Sequence, residues 1–142
     1  MLTEPQIQRF SRQILLREVG GVGQERLLST PVQVVGQGAA FEVARLTLAA
    51  GGTPLQAGAK RVVGSSNADV VLAASTVAAG CRACLVALEA RGPVEPTLSV
   101  LLGSLAALCM QRLILGLAAP VSVATWSARG LVTNHPKCPH SP

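Results

Sequence analysis

The sequence predicts a single-domain α/β fold, and three observations carry that prediction. A short apolar run at 32–35 passes directly into Gly36-Gln37-Gly38 and then into a stretch with helical spacing. That succession of strand, glycine turn and helix is half of a nucleotide-binding βαβ unit. A second apolar run at 69–73, bounded by polar residues, has the character of a buried parallel strand. A long Leu-rich stretch over 96–115 has the length and spacing of a packed helix. The 142 residues fit one domain. With 49% hydrophobic and 13% charged residues, the chain is far from the composition of a disordered segment. Two Phe, one Trp and no Tyr leave Leu, Val and Ala to build the core.

Taken in order, Thr3, Glu4 and Pro5 form a good helix start: a capping hydroxyl, an early acid and a proline tolerated in the first turn. Ile7, Phe10, Ile14 and Leu15 then share a face, which predicts a helix through Arg17. Gly20, Gly21 and Gly23 are expected to end it, with a short second helix at 24–28. Pro31 opens the strand at 32–35, and a helix is expected over 39–50, stopped by Gly51-Gly52. The pattern from 51 to 66 is weak, apart from a short strand at 60–63. After the strand at 69–73, a loop leads to Cys81-Arg82-Ala83-Cys84. The helix over 96–115 presents Leu98, Leu101, Leu102, Leu105 and Leu108 as a stripe suited to burial or an interface, and Gly116 ends it. Residues 121–126 and 131–133 alternate around Ala128-Arg129-Gly130, predicting a terminal hairpin.

Composition also argues against several functions. The net charge of +5 suits an acidic partner or a phosphate ligand, but the basic residues are scattered and do not alternate with aromatics. Nucleic-acid binding is therefore not expected. No basic segment followed by an apolar one opens the chain, so no secretory signal is expected. In the most apolar stretch, 97–119, Gln111 and Arg112 intrude before the roughly 20 apolar residues of a bilayer span are complete. A soluble, cytoplasmic protein without a membrane segment is the expectation. In that setting a C-x-x-C pair points to metal or redox chemistry before disulfides. Cys109, mid-helix among apolar residues, is most simply a small core residue.

In a G-x-G-x-x-G turn the backbone approaches phosphates at a helix N-terminus, where free amides and the helix dipole favour negative charge. Gly36 and Gly38 have that context, but Phe41 stands at the third glycine position. That glycine normally allows close helix–strand packing, so a phenyl ring should push the helix away or point elsewhere. The acid expected about 20 positions on, to hold a ribose hydroxyl, is missing, since 54–62 contain no Asp or Glu. From the residues alone, Gly36 and Gly38 either line phosphates or simply make a tight turn.

Three blocks in order resemble the ThiF/MoeB/HesA family of carrier-protein-activating adenylyltransferases. The first is Arg9-Phe10-Ser11-Arg12-Gln13-Ile14-Leu15-Leu16-Arg17 followed by Gly23-Gln24-Glu25, similar to the family's R-Y-x-R-Q-I-x-L and G-Q-x-x-L. The second is the strand and glycine turn ending at Gly38. The third is Cys81 to Cys84, then Gly103-Ser104-Leu105-Ala106-Ala107, then Cys138-Pro139, similar to the family's C-x-x-C, its G-x-L-Q-A helix and its closing C-P-x-C. The resemblance implies a Rossmann-like ATP-binding domain, usually a homodimer, that adenylates the C-terminal glycine of a ubiquitin-like sulfur carrier. It further implies that Gly36 and Gly38 line the ATP phosphates and that Arg12 reaches the partner's nucleotide. An arginine suits that role through its fixed, always-charged fork. By the residues alone Arg12 is equally a solvated helix-face charge.

The chain departs from the family in its middle. The family's acid after the second strand has no counterpart between Gly51 and Asn67, where only Lys60 and Arg61 supply charge. The aspartate that would hold Mg²⁺ after the strand at 69–73 is replaced by Ala73, Ala74, Ser75 and Thr76, and hydroxyls do not substitute for an anionic ligand. The stretch bearing the family's mobile cysteine is shortened away. The resemblance also implies a zinc knuckle, but Ser141 takes one cysteine's place. Cys81, Cys84, Cys138 and His140 are then the candidate zinc ligands, with His135 as an alternate; the other reading is remnant thiols.

The expected architecture is a truncated Rossmann-like fold in one domain: helices over 1–30, a partial core over 31–76, and a knuckle-like segment, long helix and hairpin over 77–142. The expected function is a non-catalytic or partner-dependent subunit in sulfur-carrier activation, forming a homodimer or a heterodimer with a full-length relative. The alternative is an active ATP-dependent adenylyltransferase.

Overall fold

The computed structural model describes residues 1–64, 68–72, 96–117, 125–127 and 130–132. Helices α1 (Glu4–Ile14) and α2 (Gly20–Ser29) precede strand β1 (Val32–Val35) and helix α3 (Ala39–Ala50). Strands β2 (Arg61–Gly64) and β3 (Val70–Val71) follow, then helix α4 (Pro96–Leu115) and strands β4 (Thr125–Ser127) and β5 (Gly130–Val132). The first three strands form a parallel sheet in the order β1-β2-β3, with Val32 opposite Arg61 and Val63 opposite Val70. β4 and β5 pair antiparallel, Trp126 opposite Leu131. The α/β class expected from the sequence is therefore found, with a small parallel sheet.

α1 begins where expected: the Thr3 amide donates to Gln6 Oε1 at 2.8 Å, satisfying a donor that the helix itself leaves free. It ends at Ile14, three residues short of the expected Arg17. The larger correction concerns the glycines, which open α2 instead of ending α1. Gly20 adopts φ +60°, making the corner between the two helices. Gly23 sits where a Cβ would lie 2.8 Å from Leu115 Cδ2, so its missing side chain admits α4. A helical glycine costs about 1 kcal/mol relative to alanine, and here the α2–α4 contact offsets it. Gln24, fully buried beside it, donates from Nε2 to the Gly51 carbonyl at 3.2 Å and so ties α2 to the end of α3.

The core is the layer between the sheet and the α3–α4 pair. Val32, Val63 and Leu72 from the sheet side meet Phe41, Ala44 and Leu48 of α3 and Leu98, Leu102, Ala106, Ala107 and Met110 of α4. Only part of the expected leucine stripe is buried. Leu101 and Leu105 are half-buried and Leu108 is 47% exposed, because the inward face runs through Ser99, Gly103, Ala106 and Ala107. Small residues win that face because they let two helix backbones approach. A Cβ on Gly103 would strike the Ala40 carbonyl oxygen and come within 2.8 Å of Val43 Cβ. By length and composition α4 is also apolar enough to cross a bilayer, with a mean hydropathy of 1.8.

β2 lies one residue later than expected, and β3 is shorter. Asp69 explains the shift at this join. Its Oδ2 accepts from the Val62 amide at 2.8 Å and its Oδ1 pairs with Arg61 at 3.1 Å, so it braces the start of β2 and does not extend β3. The segment 54–56 runs beside β1: the Val32 amide donates to the Pro54 carbonyl and the Gln56 amide to the Val32 carbonyl.

The α3–α4 contact yields a direct test. Gly103→Ala is expected to lower unfolding stability by about 1–3 kcal/mol through overpacking, seen as a lower urea midpoint at an unchanged m-value. An unchanged midpoint would mean that the two helices are not in contact at this position.

Candidate functional site

The glycine turn joins the C-terminal end of β1 to α3, as βαβ geometry requires. Gly36 has φ +148° and Gly38, the N-cap of α3, has φ +98°. Both values lie where residues bearing a Cβ are strained. Their surroundings differ. A Cβ on Gly36 would collide with the ring of Phe41, whereas one on Gly38 would meet nothing within 4 Å. Phe41 therefore does not push α3 away. Its ring turns inward, leaving the residue 9% exposed, and fills the volume that Gly36 leaves empty.

Arg45, on the second turn of α3, closes the other side of this corner. Its Nη2 donates to the Gly36 carbonyl at 2.8 Å and the Val34 carbonyl at 3.1 Å, while Nη1 pairs with Glu42 at 2.6 Å. One carbonyl of the strand and one of the turn are thus held by a cation that is itself paired with a neighbouring carboxylate. In front of Gly38 the arrangement is more permissive. The cap has no side-chain hydrogen bond, and the Phe41 and Glu42 amides turn back to the Gly38 carbonyl at 3.1 and 3.2 Å. The Glu42 carboxylate on this first turn is exposed and engaged by Arg45.

Other expected site residues lie elsewhere. Arg12 is exposed on the last turn of α1, with no hydrogen bond or ion pair among the described residues. The neighbouring Phe10 packs under Gly52, since a Cβ there would lie 3.0 Å from Phe10 Cζ. Gly52 follows the C-terminal end of α3, a helix of about 18 Å at 1.5 Å per residue. Arg12 and the glycine turn are thus anchored at opposite ends of α3. Arg61, a candidate source of positive charge, is engaged by Asp69, while Lys60 is exposed. Residues 73–76, where the metal carboxylate is expected, lie outside the described residues, as do Cys81, Cys84, Cys138, His135 and His140. Among the described residues no three His, Cys, Asp or Glu side chains gather as a metal site.

Comparison with protein-family models gives no match, and comparison with curated proteins gives none either.

Two residues whose structural roles the sequence does not announce hold the two ends of α3, Arg45 at the glycine turn and Gln24 at Gly51. Arg45 had one visible signal, its i,i+3 spacing from Glu42, which on a helix brings opposite charges together. Gln24 stands in the Gly23-Gln24-Glu25 block that carries the resemblance, but nothing in a sequence tells a buried glutamine from a solvated one.

The Gly36–Phe41 fit predicts a coupled pair. Gly36→Ala is expected to cost about 1–3 kcal/mol, from the positive φ and the ring collision. In a Phe41→Leu background that cost should shrink by at least about 0.5 kcal/mol in a double-mutant cycle; strictly additive costs would show that the ring does not cover Gly36. Cys109 gives a pH test. Burial pushes its thiol above the ordinary range, with Arg112 opposing. The protonated form is therefore favoured in the folded state. Its contribution is present below the unfolded thiol value of about 8.5 and is lost as pH rises through the raised folded value. The urea midpoint should consequently fall more steeply above about pH 8.5 in the parent protein than in Cys109→Ala.

Proposed function

We propose that this chain is a shortened, degenerate relative of the ThiF/MoeB/HesA family with a truncated Rossmann-like core. Its role is that of a non-catalytic or partner-dependent subunit in the activation of a ubiquitin-like sulfur carrier. The observation that carries the reading is the commitment of the glycine turn to packing: Phe41 fills the space over Gly36 and Arg45 holds the Gly36 carbonyl. The three parallel strands in chain order, with α3 crossing between the first two, are what half of a dinucleotide fold would supply. Arg12, exposed and unengaged among the described residues, is free to reach a partner's phosphates.

The nucleotide fits this site only in part. The open approach to Gly38 and the uncapped start of α3 suit a phosphate, and this favours the second reading, an active adenylyltransferase. Against that reading, the described residues bring no carboxylate to the turn for Mg²⁺ or a ribose: Asp69 braces β2, and Glu42 is paired with Arg45. Zinc held by Cys81, Cys84, Cys138 and His140 is part of the proposal by resemblance alone. A cytoplasmic location and a homodimer or heterodimer with a full-length relative complete it.

ATP–pyrophosphate exchange separates the two readings. The chain alone, with a sulfur carrier present, is expected to give none, while it co-purifies with a full-length relative or the carrier. Arg12→Ala should then lower exchange by the mixed complex at least about tenfold, as loss of a charge-assisted hydrogen bond implies. Robust exchange by the isolated chain would establish the second reading, and a strict monomer that binds neither protein would overturn the first.

A further inference from the structure

We draw no further inference here: the strongest candidate, the groove of about 500 Å³ between α1 and the turn after α3, lined by Arg9, Phe10, Thr53 and Leu55 among others, carries nothing because nothing in the structure shows what covers it and the Thr53 hydroxyl on its wall, without a partner among the described residues, is sealed from the surface.

Discussion

The close approach of α3 and α4 is the constraint on which the rest of the described structure depends. Gly103 rests against the Ala40 carbonyl and Val43, so the axes come near enough for Ala44, Leu48, Ala106, Ala107 and Met110 to share one core. Among the described residues that core has little aromatic volume, with Phe41 the one ring in its cluster. Small side chains fill space only when their backbones are close, and interior packing tolerates few voids. With α4 held against α3, its far end reaches α2 through Leu115 and Gly23, and its inward face covers Val63 and Leu72 of the sheet. A single residue without a side chain therefore sets the depth of the whole layer.

The glycine turn follows the same volume logic, and this changes what its motif means. In a phosphate-binding turn the glycines keep the backbone bare for a ligand. Here Gly36 is bare for Phe41, a residue of the same chain. The ring at the third glycine position and the gap at the first are complementary in shape, so one departure from the motif makes sense of another retained feature. Arg45 adds an electrostatic counterpart by binding carbonyls that would otherwise face water. Gly38 alone keeps the openness that a ligand would use.

Much of the local structure was legible in the sequence because proline and glycine punctuate it. Pro31 and the Gly36–Gly38 pair bracket β1, Gly51-Gly52 stop α3, and Gly116 stops α4, so these elements fall at the expected positions. The α2 boundary differs from the sequence pattern because three glycines look like a break, while the compensation at Gly23 comes from Leu115, distant in sequence. The inward face of α4 takes only part of the leucine stripe, because a periodic leucine pattern identifies a helix without fixing which side a small-residue contact will select. At the site, the turn was legible from spacing alone. The inward turn of Phe41, the clamp by Arg45 and the brace by Asp69 depend on tertiary neighbours that no local pattern encodes. The proposed zinc ligands fall outside the described residues, so sequence remains their whole basis.

The guanidinium of Arg45 has one more consequence. Backbone groups alternate sides along a strand, so Val34 presents its carbonyl in the direction that Val32 does. Val32 is taken by Pro54 and Gln56, and Val34 by Arg45. The outer margin of β1 is thereby blunted. A strand arriving there would have to displace a charged side chain and a chain segment to complete its ladder. Exposed strand margins are the usual templates for unwanted pairing between molecules. Among the described residues this one is partly occupied from within, at both Val32 groups and the Val34 carbonyl, which makes the β3 side the easier place for the sheet to grow.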